Sequence, residues 1–141
     1  MADTFQLEVA TPEREVVNEQ VSEAELPGRN GYFGVLPGHA PLLSALDPGV
    51  LTYGTGGSKH VLAIDSGFVE VFDNHVRVLA DNAELASEIH VEGARRELEK
   101  QTEALRRAQD EAAADSAELA IKRAQARIDA AQRVSGGAES H

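Results

Sequence analysis

Residues 31–43 read Gly31-Tyr32-Phe33-Gly34-Val35-Leu36-Pro37-Gly38-His39-Ala40-Pro41-Leu42-Leu43. These thirteen positions hold three glycines, two prolines and six large apolar residues. Glycine supplies backbone angles with positive φ, while proline fixes φ and removes a donor, so the stretch cannot be one regular element. Tyr32, Phe33, Val35 and Leu36 read as a short buried strand. Pro37-Gly38 reads as a turn, His39-Ala40-Pro41 as an irregular elbow, and Leu42-Leu43 as a return into a core. A rigid apolar elbow between strands is either a structural corner or a docking surface.

On both sides of the elbow the chain keeps strand periodicity. Thr4 to Ala10 alternates, with Phe5, Leu7 and Val9 on one face. Thr11-Pro12-Glu13-Arg14 is turn chemistry, and Glu15 to Leu26 suggests one or two further strands. Beyond the elbow, Asp47-Pro48-Gly49 turns into a strand at Val50-Leu51-Thr52-Tyr53, and Gly54 to Ser58 forms a hairpin tip. A meander follows: Lys59 to Ile64, the turn Asp65-Ser66-Gly67, Phe68 to Phe72, Asp73-Asn74, then His75 to Leu79. Asp-Asn suits a two-residue hairpin because both residues tolerate positive φ. Closely spaced short strands predict an antiparallel sandwich over residues 1–86.

From Ser87 to Val134 there is no proline and a single glycine, and Ala, Glu, Arg and Gln dominate. These are strong helix formers. Ser87 is positioned to cap the first helix, with Glu88 in its first turn. Val91, Ala94, Leu98, Leu105 and Ala108 share one stripe, with Thr102 in its gap. Ala117, Ile121, Ala124, Ile128 and Ala131 form a second stripe. Ala112 to Ser116 lies between them, with Asp115 or Ser116 as the second cap. Residues 87–134 are therefore an antiparallel helical hairpin. Its alanine-rich stripes bury little area at about 0.8 kcal/mol per CH₂, so it should hold when docked yet be able to leave. Residues 135–141 read as a disordered tail.

Composition narrows the function. Across 141 residues the net charge is −11, which argues against nucleic acid or an anionic membrane surface as a direct partner. There is no cysteine, so neither a disulfide framework nor a thiolate metal site forms. The N-terminus lacks the pattern of a secretory signal, and no apolar run approaches the roughly 18 residues of a membrane span. A soluble chain that reaches a membrane only through a partner is expected.

No catalytic constellation emerges. His39, His60, His75, His90 and His141 lack metal-ligand spacing. Neither a phosphate loop nor a nucleophile elbow occurs, and Asp65, Asp73 and Asp81 read as turn residues. Catalytic residues, metal ligands and cofactors are all expected to be none. On the first helix, Arg95, Arg96, Lys100, Arg106 and Arg107 alternate with glutamates, as i, i+4 pairing on a solvated face requires. The second helix carries Lys122, Arg123, Arg127 and Arg133 against Glu118 and Asp129, a net of +2 in an acidic protein. That excess reads first as a solvated helix face and, as the alternative, as a contact for an acidic partner.

The stretch Gly34-Val35-Leu36-Pro37-Gly38-His39-Ala40-Pro41-Leu42-Leu43 closely resembles the G-[IV]-L-P-G-H-A-P-L-L signature of the epsilon subunit of bacterial and chloroplast F-type ATP synthases, called delta in mitochondria. The resemblance extends to Leu46-x-Pro48-Gly49, to Gly67-Phe68-Val69-Glu70-Val71 and to Val76-x-Val78-Leu79-Ala80-Asp81. It covers nearly the whole chain, in the same order of parts.

The resemblance implies a non-catalytic rotor subunit of the central stalk. A flattened β-sandwich would grip the gamma subunit and sit on the ring of membrane c subunits, coupling the two in proton-driven ATP synthesis. By position, His39, Leu43, Ser44 and Val50 fall where the family contacts gamma or the ring, and Asn30, Gly31 and Tyr32 where a loop meets the ring. Tyr32 stands where many epsilon subunits carry an acidic residue, so apolar area and a hydrogen bond would replace charge there. The family's hairpin either folds against the sandwich or extends toward the alpha and beta subunits and restrains ATP hydrolysis. Lys122, Arg123 and Arg127 would then face an acidic segment of beta. A bacterial member would lie peripherally on the cytoplasmic side of the cell membrane, held through the c ring.

Some members also bind ATP through [IL]-D-x-x-R-A at the start of the first helix, together with arginines of the second. Here Ile89-His90-Val91-Glu92-Gly93-Ala94 keeps only Ile89 and Ala94. Arg123 and Arg127 lie near the second-helix positions but cannot replace the lost Asp and Arg. No nucleotide site is expected. Two other classes compete with the rotor reading: a free-standing sandwich adaptor, which has no reason to carry the elbow motif intact, and a nucleotide sensor, which His90 and Gly93 disfavour.

Overall fold

The computed structural model describes residues 3–139. Ten strands come first: β1 (Phe5–Ala10), β2 (Glu15–Val21), β3 (Glu23–Gly28), β4 (Gly31–Val35), β5 (Leu42–Leu46), β6 (Gly49–Thr55), β7 (Ser58–Ile64), β8 (Gly67–Phe72), β9 (His75–Ala80) and β10 (Ala83–Leu85). A 3₁₀ turn at Ala86–Glu88 leads to α1 (Val91–Arg107) and α2 (Glu111–Glu139). One layer runs β10-β7-β6-β3, with β4 on β3, and the other runs β5-β8-β9-β1-β2. The layers join at the bridge Gly28↔Leu46 between β3 and β5. The expected sandwich followed by a helical hairpin is the observed fold.

One pairing departs from a purely antiparallel plan: β1 lies parallel to β9, with Leu7 opposite Val76 and Val9 opposite Val78. The chain returns to its first strand only after crossing both layers, so this contact cannot be a tight hairpin. The core between the layers is aliphatic. Phe5, Leu7, Val9, Leu26, Leu46, Leu51, Leu62, Val69 and Val78 are each 1% exposed or less. Their alternation along β1, β8 and β9 directs every second residue inward. Asp73 and Asn74 adopt φ of 52° and 60°, the primed hairpin turn that the dipeptide predicts.

The outer face of β6 and β7 is covered as well. Val50 and Ala63 point away from the sandwich core and, with Ala86, pack against Ala130 of α2, flanked by Val61 and Ile89. Burial therefore runs continuously through Gly49, Val50 and Leu51 instead of alternating. α2 lies on the sheet and α1 packs on α2, making a third and a fourth layer.

The helix ends differ from expectation. Ser87 sits inside the 3₁₀ turn, and α1 begins at Val91 after His90, whose side chain makes no capping bond. The joint is instead secured by Glu88, which accepts from the Leu85 N–H at 3.1 Å and binds Arg14 at 2.9 Å. α2 starts at Glu111, before Asp115 and Ser116. Asp110 caps it, accepting from the Ala113 N–H at 2.7 Å. Alanine-rich sequence is equally helical on either side of a boundary, so the first available side-chain acceptor decides it. At its other end α2 continues to Glu139, so the tail expected from Ser135 is helical as far as that residue. Propagation carries the backbone ladder through Gly136-Gly137 despite about 1 kcal/mol of lost propensity at each. Ser140 and His141 lie outside the described residues.

Candidate docking surfaces

The elbow turns outward more than its sequence suggests. Val35 is buried, whereas Leu36 and Tyr32 are exposed, and Leu43 is 74% exposed despite the expected return into a core. The reason is register. Leu42 lies opposite Val71, facing the core, so Leu43 opposite Glu70 must face out. The same alternation brings Phe68, Phe72 and Leu79 to that outer face, at 59%, 63% and 56% exposure. Ala45, Phe68 and Leu79 align as one cross-strand row, and Leu43, Glu70 and Arg77 form the next. An apolar surface of two phenylalanines and two leucines thus spreads over β5, β8 and β9. The charged pair Glu70–Arg77 crosses this surface, yet several large apolar side chains exposed on one sheet face mark an interaction site more often than an isolated exposed leucine does.

Its border is charged and ordered. Glu8 on β1 binds the His75 Nε2 at 2.9 Å and the Arg77 Nε at 3.0 Å. These bonds, His75 first and Arg77 second, hold the Glu8 carboxyl below its ordinary value. The Asn74 side chain ties the strand ends to the elbow by accepting from the Gly38 N–H at 2.9 Å and donating to the Thr4 carbonyl at 2.7 Å. The elbow is thus fastened to the β8–β9 turn.

The other expected contact residues separate. His39 bonds the adjacent Ala40 carbonyl at 2.7 Å; Ser44 lies opposite buried Val69, on the core side of β5, and donates to the Ala45 carbonyl at 3.2 Å. Val50 is 1% exposed beneath α2, so with the hairpin docked it cannot belong to an external contact surface. Asn30 lies in the β3–β4 turn, and Gly31 and Tyr32 open β4 beside it. The Tyr32 hydroxyl accepts from the Val50 N–H at 3.0 Å. A Cβ on Gly49 would meet that hydroxyl at 2.8 Å and Pro27 at 2.5 Å, so glycine is required there. The turn borders a crevice shared with Lys122 and Asp129 of α2.

The basic residues of α2 are divided. Lys122 and Arg123 are exposed and Arg127 is half-buried. Arg123 binds Asp65 at 2.8 Å, and Arg127 binds Glu84 through two bonds of 2.7 and 3.3 Å. Asp65 is therefore more than the turn residue its sequence context suggests. A crevice of about 380 Å³ between hairpin and sandwich is lined by these four residues and Glu97. Arg123 and Arg127 are engaged there by protein carboxylates. At the start of α1, His90 overhangs Gly93: a Cβ there would lie 2.8 Å from the His90 Nδ1. Among the described residues no cluster of His, Asp or Glu could hold a metal ion, and no helix is long and apolar enough to cross a membrane.

Fold and surfaces together define a docking protein: a β-sandwich with large apolar side chains exposed on one outer face and a two-helix hairpin held on the opposite layer. The sequence profile of the ATP synthase Delta/Epsilon chain, beta-sandwich domain family matches residues 4–86. An ATP synthase epsilon chain of Solibacter usitatus is 52% identical over 136 residues, covering 94% of this chain and 99% of its own. One of Anaeromyxobacter dehalogenans is 44% identical, covering 90% and 97%. In the cryo-EM structure of the Euglena gracilis mitochondrial ATP synthase (OSCP/F1/c-ring, rotational state 1), one chain superposes with a TM-score of 0.82 at 26% identity. That match covers 94% of this chain and 83% of the other. A central stalk/c-ring chain from Tetrahymena thermophila shares the fold, with a TM-score of 0.63 at 15% identity over 89% and 95%. The chain belongs to the ATP synthase epsilon chain family, a non-catalytic subunit of that complex.

Proposed function

We propose that this subunit couples the gamma subunit to the c-subunit ring in the central stalk and restrains ATP hydrolysis through its helical hairpin. The observation that carries the reading is the outer face of β5, β8 and β9. Four large apolar side chains stand in water on a sheet whose opposite face is fully packed. In this reading gamma covers Leu43, Phe68, Phe72 and Leu79, with His39 of the elbow at the margin. The Asn30-Gly31-Tyr32 turn meets the ring, where Tyr32 offers apolar area rather than charge. The subunit then sits peripherally on the cytoplasmic side of the membrane, attached through the ring.

The hairpin is the movable part. Its contact with the sheet consists mainly of alanine against Val50 and Ala63. Released, it presents Lys122, Arg123 and Arg127 to the alpha and beta subunits. Nucleotide sensing is disfavoured, because Arg123 and Arg127 already have carboxylate partners and His90-Gly93 offers neither the carboxylate nor the guanidinium of the family motif. Co-purification with gamma tests the first half: a chain that remains monomeric beside gamma contradicts it. Truncation of residues 89–141 tests the second. Membrane ATP hydrolysis should rise, and unchanged hydrolysis would remove the restraining role while leaving coupling intact.

A further inference from the structure

We propose that Arg123 and Arg127 of α2, paired with Asp65 and Glu84 of the sandwich, form a two-bolt electrostatic latch that sets the register of the docked hairpin and governs its release. The geometry is matched on both sides. Arg123 and Arg127 are one helical turn apart, about 6 Å along the axis. Asp65 follows the end of β7 and binds the Asn82 carbonyl through its own N–H at 2.9 Å, and Glu84 lies two residues further along, opposite Ala63. Two residues of strand span about 7 Å. Along the strands the acids therefore repeat at nearly the spacing of the arginines, offset by one strand-to-strand step of about 4.8 Å. A slip of α2 by one turn would place Arg127 at Asp65 and leave Ala131 at Glu84, losing one bolt outright.

The acids are held ready. Asp65 also accepts from the Ser66 N–H at 2.7 Å, which fixes its carboxylate toward α2. Asp65 and Glu84 side chains are only 16% and 22% exposed, and Arg127 engages Glu84 with both ends of its guanidinium fork. Shielded, bidentate pairs of this kind are stronger than exposed ones. The apolar contact beside them is Val50, Ala63 and Ala86 against Ala130, flanked by half-buried Val61 and Ile89. Where apolar burial is this slight, charge pairing decides between docked and free. Glu97 of α1 faces the same crevice, leaving three carboxylates around two guanidiniums. The arginines are thus retained by the sandwich until something else competes for them, namely salt or an acidic surface. The latch rests on the hairpin reading above only for its consequence in the assembled enzyme.

The test uses the full chain. It has no native cysteine, so Asn82→Cys and Ser116→Cys, both exposed, accept spin labels for a distance measurement between sandwich and hairpin. The unaltered pair of acids should give one short distance, with a longer population that grows as sodium chloride is raised. Asp65→Asn with Glu84→Gln should increase the longer population about tenfold and abolish its growth with salt. The charge swap Glu84→Arg with Arg127→Glu should return most molecules to the short distance. Unchanged populations in the double variant, undiminished salt dependence, or a swap no better docked than Glu84→Gln would each overturn the latch. Hydrolysis by the assembled complex separates the two ideas: if the distances shift as expected while hydrolysis does not fall, the latch stands and the restraining role is the reading that fails.

Discussion

Replacing Phe68 with alanine should separate an interface residue from a core residue. Phe68 is 59% exposed in the free subunit. With roughly 200 Å² available on a phenylalanine, that leaves about 120 Å² for a partner to cover. At about 25 cal/mol per Å² the covered area contributes about 3 kcal/mol, of which an alanine Cβ retains a part. A loss of about 2 kcal/mol in gamma affinity follows, roughly 30-fold in Kd. The free subunit should hardly notice, because surface substitutions usually change stability by no more than about 0.5 kcal/mol. The assay pairs calorimetric titration of gamma with thermal unfolding of the variant alone. Affinity equal to that of the parent, in a variant that melts normally, would refute the assignment of this face. A large fall in melting temperature would show that Phe68 supports the fold instead.

Other consequences follow from the hinge and the helix start. Arg14 lowers the Glu88 carboxyl from its ordinary 4.5, aided by the Leu85 N–H. A depressed carboxylate contributes stability above its unfolded value that is lost as pH falls through the folded one. Amide protection factors over residues 85–90, corrected for the intrinsic pH dependence of exchange, should therefore fall on acidification below about pH 4.5, and Glu88→Gln should remove that dependence. Gly93→Ala should raise the melting temperature of the hairpin, because about 1 kcal/mol of helix propensity outweighs moving the exposed His90 ring aside; a lowered melting temperature would mean that His90 is held in place. Millimolar ATP should give no saturable NMR shifts across Ile89 to Arg95.

Much of this architecture was legible because its signals are local. Period-two runs such as Phe5-Leu7-Val9, and the Asp73-Asn74 turn, act within a few residues. The helical hairpin shows as a long stretch without proline and with a single glycine between Ser87 and Val134. What escaped reading was long-range. The Arg123–Asp65 and Arg127–Glu84 pairs join residues 58 and 43 positions apart, and nothing in an alanine-rich helix announces which acids it will meet. The parallel β1–β9 pairing is hidden for the same reason. Two signals were available but subtle. Val61-Leu62-Ala63-Ile64 is a continuous apolar run, the mark of a strand covered on both faces. Phe68-Val69-Glu70-Val71-Phe72 is apolar on both faces, although only one can reach the core. In the elbow, Leu42 and Leu43 are adjacent in sequence and so point to opposite sides of the sheet, which composition alone does not reveal.

Docking of gamma on the outer face of β5, β8 and β9, as proposed, is open to direct measurement. Hydroxyl-radical footprinting of the full chain, with and without gamma, reads those side chains directly. Leu43, Phe68, Phe72 and Leu79 should lose most of their reactivity when gamma is added, while Leu36 and Val134 keep theirs. Full reactivity at the four residues in a stable gamma complex, with protection elsewhere on the sandwich, would contradict the account.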